Sequence, residues 1–252
     1  MEYQTLKTKA IVLLKKDIGE ADQLFTLYTE NFGKIEVLGK GIRKIKAKLR
    51  GALQDLNYIS LEFVQGKNFF IATDAILKNR FKTIKKEIKR YRFALYLCDL
   101  TNKFVKEEER DEKIWQLLLE TTYNLQLTTY NLGLIVRYFE WNLLSLLGFE
   151  PELYHCVLCQ ERISQGKFYF SAKEGGVICN KCFQTKEKFS DRENKIISLP
   201  ISQDAIKILR LIILKDKTIL KRLKINSQQE KELKDLSKYY LSCVLEEEIF
   251  VV

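Results

Sequence analysis

The chain has 252 residues and a formal charge of +10, from 43 basic and 33 acidic side chains, enough for two or three self-sufficient domains and a balance that suits an anionic partner, nucleic acid before acidic protein or membrane. No apolar run approaches the ~20 residues of a membrane span, and Met1-Glu2-Tyr3-Gln4 does not start a signal peptide. Six cysteines, four of them in metal spacing, point to a reducing cytoplasm rather than a disulfide framework.

Residues 1–80 read as β. Ala10–Leu14, Gln23–Thr29 and Ile35–Leu38 are short apolar strands, and Ile59, Leu61 and Phe63 alternate with Ser60 and Glu62, the period of a half-buried strand. Gln65-Gly66-Lys67-Asn68 turns into a last strand, Phe69–Thr73. Five short strands with tight turns predict a small closed barrel. From residue 81 the pattern is helical. Ile84, Ile88, Tyr91, Leu95 and Cys98 make one stripe, and Ile114, Leu117, Leu118 and Leu125 a second. Leu132–Leu147 is apolar nearly all round, which predicts a central buried helix, ended by Gly148 and Pro151. After Pro200, Ile201–Ile212 and Leu233–Val244 predict two more helices. Cys98 and Cys243 read as small core residues.

Between these helices stand Cys156-Val157-Leu158-Cys159 and Cys179-Asn180-Lys181-Cys182, with residues 160–178 between the pairs. This is the spacing of a four-thiolate zinc site, in which each short turn delivers two ligands. Phe168-Tyr169-Phe170, the turn Glu174-Gly175-Gly176 and Val177-Ile178 read as the hairpin that joins them. A pair of redox dithiols explains the two matched turns less well, and His155 is a weaker substitute ligand, since four thiolates already close a tetrahedron. The expected organisation is a barrel domain at 1–80, a helical domain at 81–151 and 191–252, and a zinc module at 152–190.

The positive charge is concentrated. In 34–50, Lys34, Lys40, Arg43, Lys44, Lys46, Lys48 and Arg50 face a single acid, Glu36. In 78–92, Lys78, Arg80, Lys82, Lys85, Lys86, Lys89, Arg90 and Arg92 face only Glu87. The first stretch reads as a phosphate-binding loop, with Gly39 and Gly41 letting backbone approach a ligand. The second is an extension of that surface or a solvated helix face. Phe25, Tyr28 and Phe32 are either stacking platforms for unpaired bases or barrel core, the commoner fate of strand aromatics. The chain has no Gly-x4-Gly-Lys-Ser/Thr phosphate loop and a single histidine, His155, which argues against ATP hydrolysis and histidine-based catalysis. The alternative to a DNA-binding protein is a zinc-ribbon protein that binds RNA or works in transcription, but that would place the main basic patch on the ribbon.

Gly19-Glu20-Ala21-Asp22-Gln23-Leu24-Phe25-Thr26-Leu27, Gly33-Lys34, Gly41–Leu49 and Leu53-Gln54 resemble the N-terminal signature of the RecO family of bacterial DNA repair proteins. Asp55-Leu56 departs from the family's usual Pro-Phe, and Ala47 stands where Ser is common. The resemblance implies an α+β protein: a five-stranded OB-fold barrel, then an all-α helical domain with an inserted four-cysteine zinc-ribbon-like module. It implies a cytoplasmic, nucleoid-associated recombination mediator, not an enzyme. Such proteins bind single- and double-stranded DNA, anneal complementary strands and, with RecR, help load RecA onto DNA coated by single-strand-binding protein, whose acidic tail they also bind. By position, Lys40, Arg43, Lys44, Lys46, Lys48 and Arg50 match the family's DNA-contacting loop region, and Cys156, Cys159, Cys179 and Cys182 match the ligands of one structural zinc. Glu246–Val252 is acidic, then apolar with a Phe, loosely similar to that tail; the plainer reading is a final helix whose last residues pack in the core.

Overall fold

The computed structural model describes residues 4–127, 131–189, 198–214, 218–249 and 251. Five strands, β1 (Leu6–Ile18), β2 (Asp22–Thr29), β3 (Gly33–Gly39), β4 (Tyr58–Gln65) and β5 (Phe70–Asn79), close a barrel in the order β1-β2-β3-β5-β4. All neighbours are antiparallel except β3 and β5, which meet in parallel at Val37–Phe70 and Leu38–Ile71. β1 is far longer than its apolar run because it serves two partners. Its first half pairs with β4 and its second with β2, and a register shift between Val12 and Leu14 bends it from one to the other. Alternation sends Ile35 and Val37 of β3 and Ile59, Leu61 and Phe63 of β4 into one core with Phe25 and Leu27.

The predicted stripe 84–98 is two helices, α1 (Lys82–Lys86) and α2 (Ile88–Phe104), broken at Glu87 by an extended backbone with φ −109° and ψ 113°. The break takes Ile88 off the apolar face, leaving it 80% exposed. α3 (Glu112–Asn124) is capped by Asp111, whose carboxylate accepts from the Lys113 and Ile114 N–H groups. Trp115 of α3 packs on Tyr28 and Tyr58 of the barrel wall, and α2 lies against β1. Gly33 shows how closely the chain passes here. Its φ is +65°, and a Cβ would run into the Glu109 carbonyl, so only glycine fits.

By compactness the chain forms two units, 1–128 and 129–252, with α1 to α3 in the first. In the second, α4 (Leu132–Leu146) is the predicted buried helix, with every residue from Leu134 to Leu144 buried. A hairpin follows, β6 (Phe168–Ser171) and β7 (Gly176–Cys179), and α5 (Asn180–Phe189) starts directly after Cys179. A third strand, β8 (Leu199–Ile201), pairs with β6. Pro200, expected just ahead of a helix, sits inside this edge strand, where its missing N–H breaks no ladder bond. The remaining helices are α6 (Gln203–Ile213), α7 (Ile219–Arg222) and α8 (Ser227–Leu245), the last opened by a capping box of Asn226 and Gln229. Trp141 of α4 stacks on Tyr240 of α8 and meets Phe170 of β6 edge-on, fastening the hairpin to the helices. α8 ends at Leu245, and Ile249 and Val251 are buried after it; Phe250 and Val252 of the proposed tail mimic lie outside the described residues. No described helix is long and apolar enough to cross a membrane.

Candidate nucleic-acid surface and metal centre

Between β3 and β4 the chain runs as a loop, residues 40–57, with one 3-10 turn at Lys48–Gly51. Its apolar residues turn inward. Ile42 is 1% exposed and joins the barrel core with Leu53, while Ala47 and Leu49 pack against that core. Gly39 is small for the sake of this packing rather than for a ligand, because a Cβ there would lie 2.9 Å from Phe25 and 3.0 Å from Ile42. Hydrogen bonds pin the rest. The Gly41 N–H donates to the Asp22 carboxylate at 2.6 Å, and the Arg43 N–H to the Ala21 carbonyl at 3.0 Å. At the far end Gln54 donates to the Arg50 carbonyl, and buried Asn57 to that of Ala52.

With its apolar side anchored, the loop presents Lys40, Arg43, Lys44, Lys46, Lys48 and Arg50 to solvent, together with Ile45. Arg43 is partly engaged, reaching the Gly19 carbonyl at 3.3 Å and the Asp17 carboxylate at 3.5 Å. Lys34 does not share this surface. It lies on β3, and its ammonium donates to the Asn102 carbonyl at 2.7 Å. Phe25 and Tyr28 are fully buried, Tyr28 with its hydroxyl donating to the Asp111 carbonyl, and Phe32 packs edge-on against Phe63. The aromatics are therefore core and wall, not stacking platforms. Burial is also the first cause that pushes the Tyr28 phenol well above its ordinary range, followed by the charge of Asp111.

The second basic stretch divides by environment. Lys78, Arg80, Lys82, Lys86, Lys89 and Arg92 are exposed. Arg90 is 7% exposed and departs from the expectation: its guanidinium donates to the carbonyls of Leu125 (2.6 Å) and Leu127 (3.1 Å) and pairs with Glu87. It ties the end of α3 to the start of α2. Lys85 is half-buried and donates to the Asn57 side chain at 2.7 Å, and burial lowers its pKa. Through Asn57 it braces the base of the basic loop. The inward position of Arg90 was hidden in sequence because the Glu87 break rotates the stripe, and that of Lys85 because its partner Asn57 lies far away in the chain.

The four cysteines come together. The Sγ atoms of Cys156, Cys159, Cys179 and Cys182 all lie within 4.8 Å of one another. The strap 152–157 runs beside β7, with the Glu152 N–H donating to the Gly175 carbonyl, the Val177 N–H to that of Glu152 and the Val157 N–H to that of Val177. Gly176 allows this, because a Cβ there would strike the Glu152 backbone. The strap sets Cys156 and Cys159 opposite Cys179 at the end of β7 and Cys182 in the first turn of α5. The Cys159 and Cys179 sulfurs are 3.9 Å apart, close to the ~3.8 Å edge of a tetrahedron with Zn–S bonds of about 2.3 Å. The thiols also bear the mark of a cluster. Burial acts to raise Cys156, but backbone N–H groups of Cys179, Cys159 and Leu158 outweigh it and bring that thiol down to about 7. Burial and the neighbouring thiols push Cys182 far up. Thiols held this close together disfavour several thiolates at once, a cost that a bound dication removes. Donor set and geometry fit a metal ion of the zinc type. His155 is exposed beside Glu152 and is not part of the cluster.

Two family models cover the chain almost end to end: residues 1–81 match Recombination protein O N terminal, and residues 85–249 match Recombination protein O C terminal. The chain belongs to the Recombination protein O family. A protein of Dehalococcoides mccartyi named DNA repair protein RecO is 35% identical over 242 residues, 96% of this chain and 91% of that protein. Proteins of the same name from Roseiflexus sp. (30% over 246 residues, 98% of this chain and 83% of that protein) and Alkaliphilus metalliredigens (28% over 236 residues, 94% and 92%) are similar over comparable lengths. The RecO family's expected architecture is present here: a closed OB-like barrel, a helical part and a cysteine cluster able to hold a metal.

Proposed function

We propose that this RecO-family DNA repair protein works by binding rather than by catalysis, using the loop 40–50 as a sequence-independent grip on DNA phosphates. The observation that carries this reading is the loop itself: its apolar residues and both ends are held by the barrel, so its cations are displayed on a fixed frame. Phosphate contacts position a strand without reading it, and neutralising phosphates lets two strands approach, which suits annealing of complementary single strands as well as binding of duplex. The exposed residues Lys78, Arg80, Lys82, Lys86, Lys89 and Arg92 extend this grip; Lys85 braces the loop through Asn57, while Lys34 and Arg90 spend their charge on the carbonyls of Asn102, Leu125 and Leu127. The further role is that of a recombination mediator, which with RecR helps RecA load onto DNA coated by single-strand-binding protein and engages the tail of that coating protein. The quartet Cys156, Cys159, Cys179 and Cys182 holds one structural Zn²⁺, which when bound neutralises the thiolates and clamps the strap to the hairpin. Four thiolates leave no open position for a reacting water. The activity is placed in the cytoplasm, at the nucleoid.

The test is Lys44→Glu with Lys46→Glu, two loop positions with exposed side chains. Binding of a labelled single strand and annealing of complementary strands, with and without single-strand-binding protein, should both collapse while the melting temperature holds. A folded double variant that binds and anneals like the parent would refute the assignment. The zinc-ribbon alternative predicts instead that binding follows reversal of Lys167 and Lys181 and prefers RNA.

A further inference from the structure

The basic loop carries one large apolar side chain that its packing does not use. Ile45 is 93% exposed, while Ile42 is 1% exposed and Leu53 fully buried. Slack in the chain does not account for this. The Lys44 N–H donates to the Gly41 carbonyl and the Ala47 N–H to the Lys44 carbonyl, each at 3.1 Å. Ile45 thus lies within the second of two consecutive tight turns, held outward while the chain on either side of it turns back to the core. Its neighbours Lys44 and Lys46 are exposed cations. A β-branched side chain is also stiff about χ1 and loses little freedom when something packs on it.

We propose that Ile45 packs against the base faces of a DNA strand whose phosphates are met by the flanking Lys44 and Lys46. The occupant follows from charge. Cations on both sides recruit a polyanion, and the apolar surface that an unpaired polyanionic strand brings with it is the faces of its bases. Apolar side chains serve as wedges at base steps in other DNA-binding proteins, and a contact with a base face tolerates any sequence. Buried Phe25 and Tyr28 cannot supply this contact, so in this loop the task falls to Ile45. It would let the protein hold strands with their bases splayed, a useful state before pairing. The inference rests on the DNA-binding reading above.

Two labelled oligonucleotides of equal length separate base contact from phosphate contact: one of thymidine, one abasic with the same phosphates. The parent protein should bind the thymidine strand about tenfold more tightly than the abasic one. Ile45→Ser should bind both at the abasic level, with an unchanged melting temperature, since the side chain it loses is in solvent. A variant that discriminates as well as the parent overturns the proposal, as does a parent that binds both strands equally. A parent that binds neither strand at low salt overturns the DNA surface itself, a different result from the loss of discrimination alone.

Discussion

The salt dependence of single-strand binding measures how many loop cations meet phosphates. Lys40, Arg43, Lys44, Lys46, Lys48 and Arg50 are exposed on the loop, and each phosphate contact on a single strand contributes about 0.7 to the slope of log affinity against log salt. Six contacts give a slope of about −4.2, a loss of roughly 340-fold between about 50 and about 200 mM salt. Lys44→Gln with Lys46→Gln removes two contacts, so the slope should fall to about −3 and the loss to about 50-fold over the same range. Lys34→Gln is the control. Its ammonium is spent on the Asn102 carbonyl, so it should leave the slope as it was even if it costs stability. Fluorescence anisotropy of a labelled oligonucleotide across a salt series reads both. An unchanged slope in the double variant, or an equal reduction from Lys34→Gln, would show that the strand lies elsewhere on the barrel.

Gly33→Ala forces a Cβ into the Glu109 carbonyl at φ +65°, and should lower stability by about 2 kcal/mol or more, seen in thermal melting; melting at the parent temperature would mean that the backbone at 107–109 yields freely. Cys179→Ser should take bound metal from about one per chain to about none by elemental analysis. It should expose 152–189 to protease yet leave single-strand binding by the barrel largely in place, and retention of a full metal complement would contradict the four-thiol site. Cys98 is fully buried, and burial, followed by the charges of Asp55 and Asp99, pushes its thiol up to about 12 from an ordinary 9. Between those values the unfolded chain gives up the thiol proton and the folded chain keeps it, so stability is fully present below pH 9 and falls as pH rises toward 12. Denaturant titrations at stepped pH should show a shallower alkaline fall in Cys98→Ala than in the parent, and equal falls would mean that the thiol is not the group responsible.

Much of the frame was legible in the residues alone. Period-two alternation at Ile59, Leu61 and Phe63 is a local property of a strand with one face in a core, and the apolar run of α4 announces burial on all sides. The spacing of the Cys-x2-Cys pairs announced a four-thiol cluster, and the four sulfurs do come together within 4.8 Å of one another. The Gly33-Lys34 and 41–49 segments carried the family resemblance, and the family match agrees with it.

What composition could not supply is the direction in which each cation points. Arg90 and Lys89 are adjacent in the chain, yet one is buried against the carbonyls that end α3 and the other is exposed. Successive residues of α2 point about 100° apart, and the extended backbone at Glu87 sets which of its faces turns inward, so no periodicity argument carries across that break. Lys34 and Lys85 read as surface charge until their partners, Asn102 and Asn57, arrive from distant parts of the chain. β8 was missed because a three-residue strand around Pro200 has almost no pattern of its own and exists only where β6 offers it an edge. The sequence by itself thus determined most of the elements, the pairing of four cysteines able to hold a metal and where positive charge is dense. Only the tertiary structure decided which of those charges are free to meet a strand, since hydrogen bonding and burial act between residues far apart in the chain.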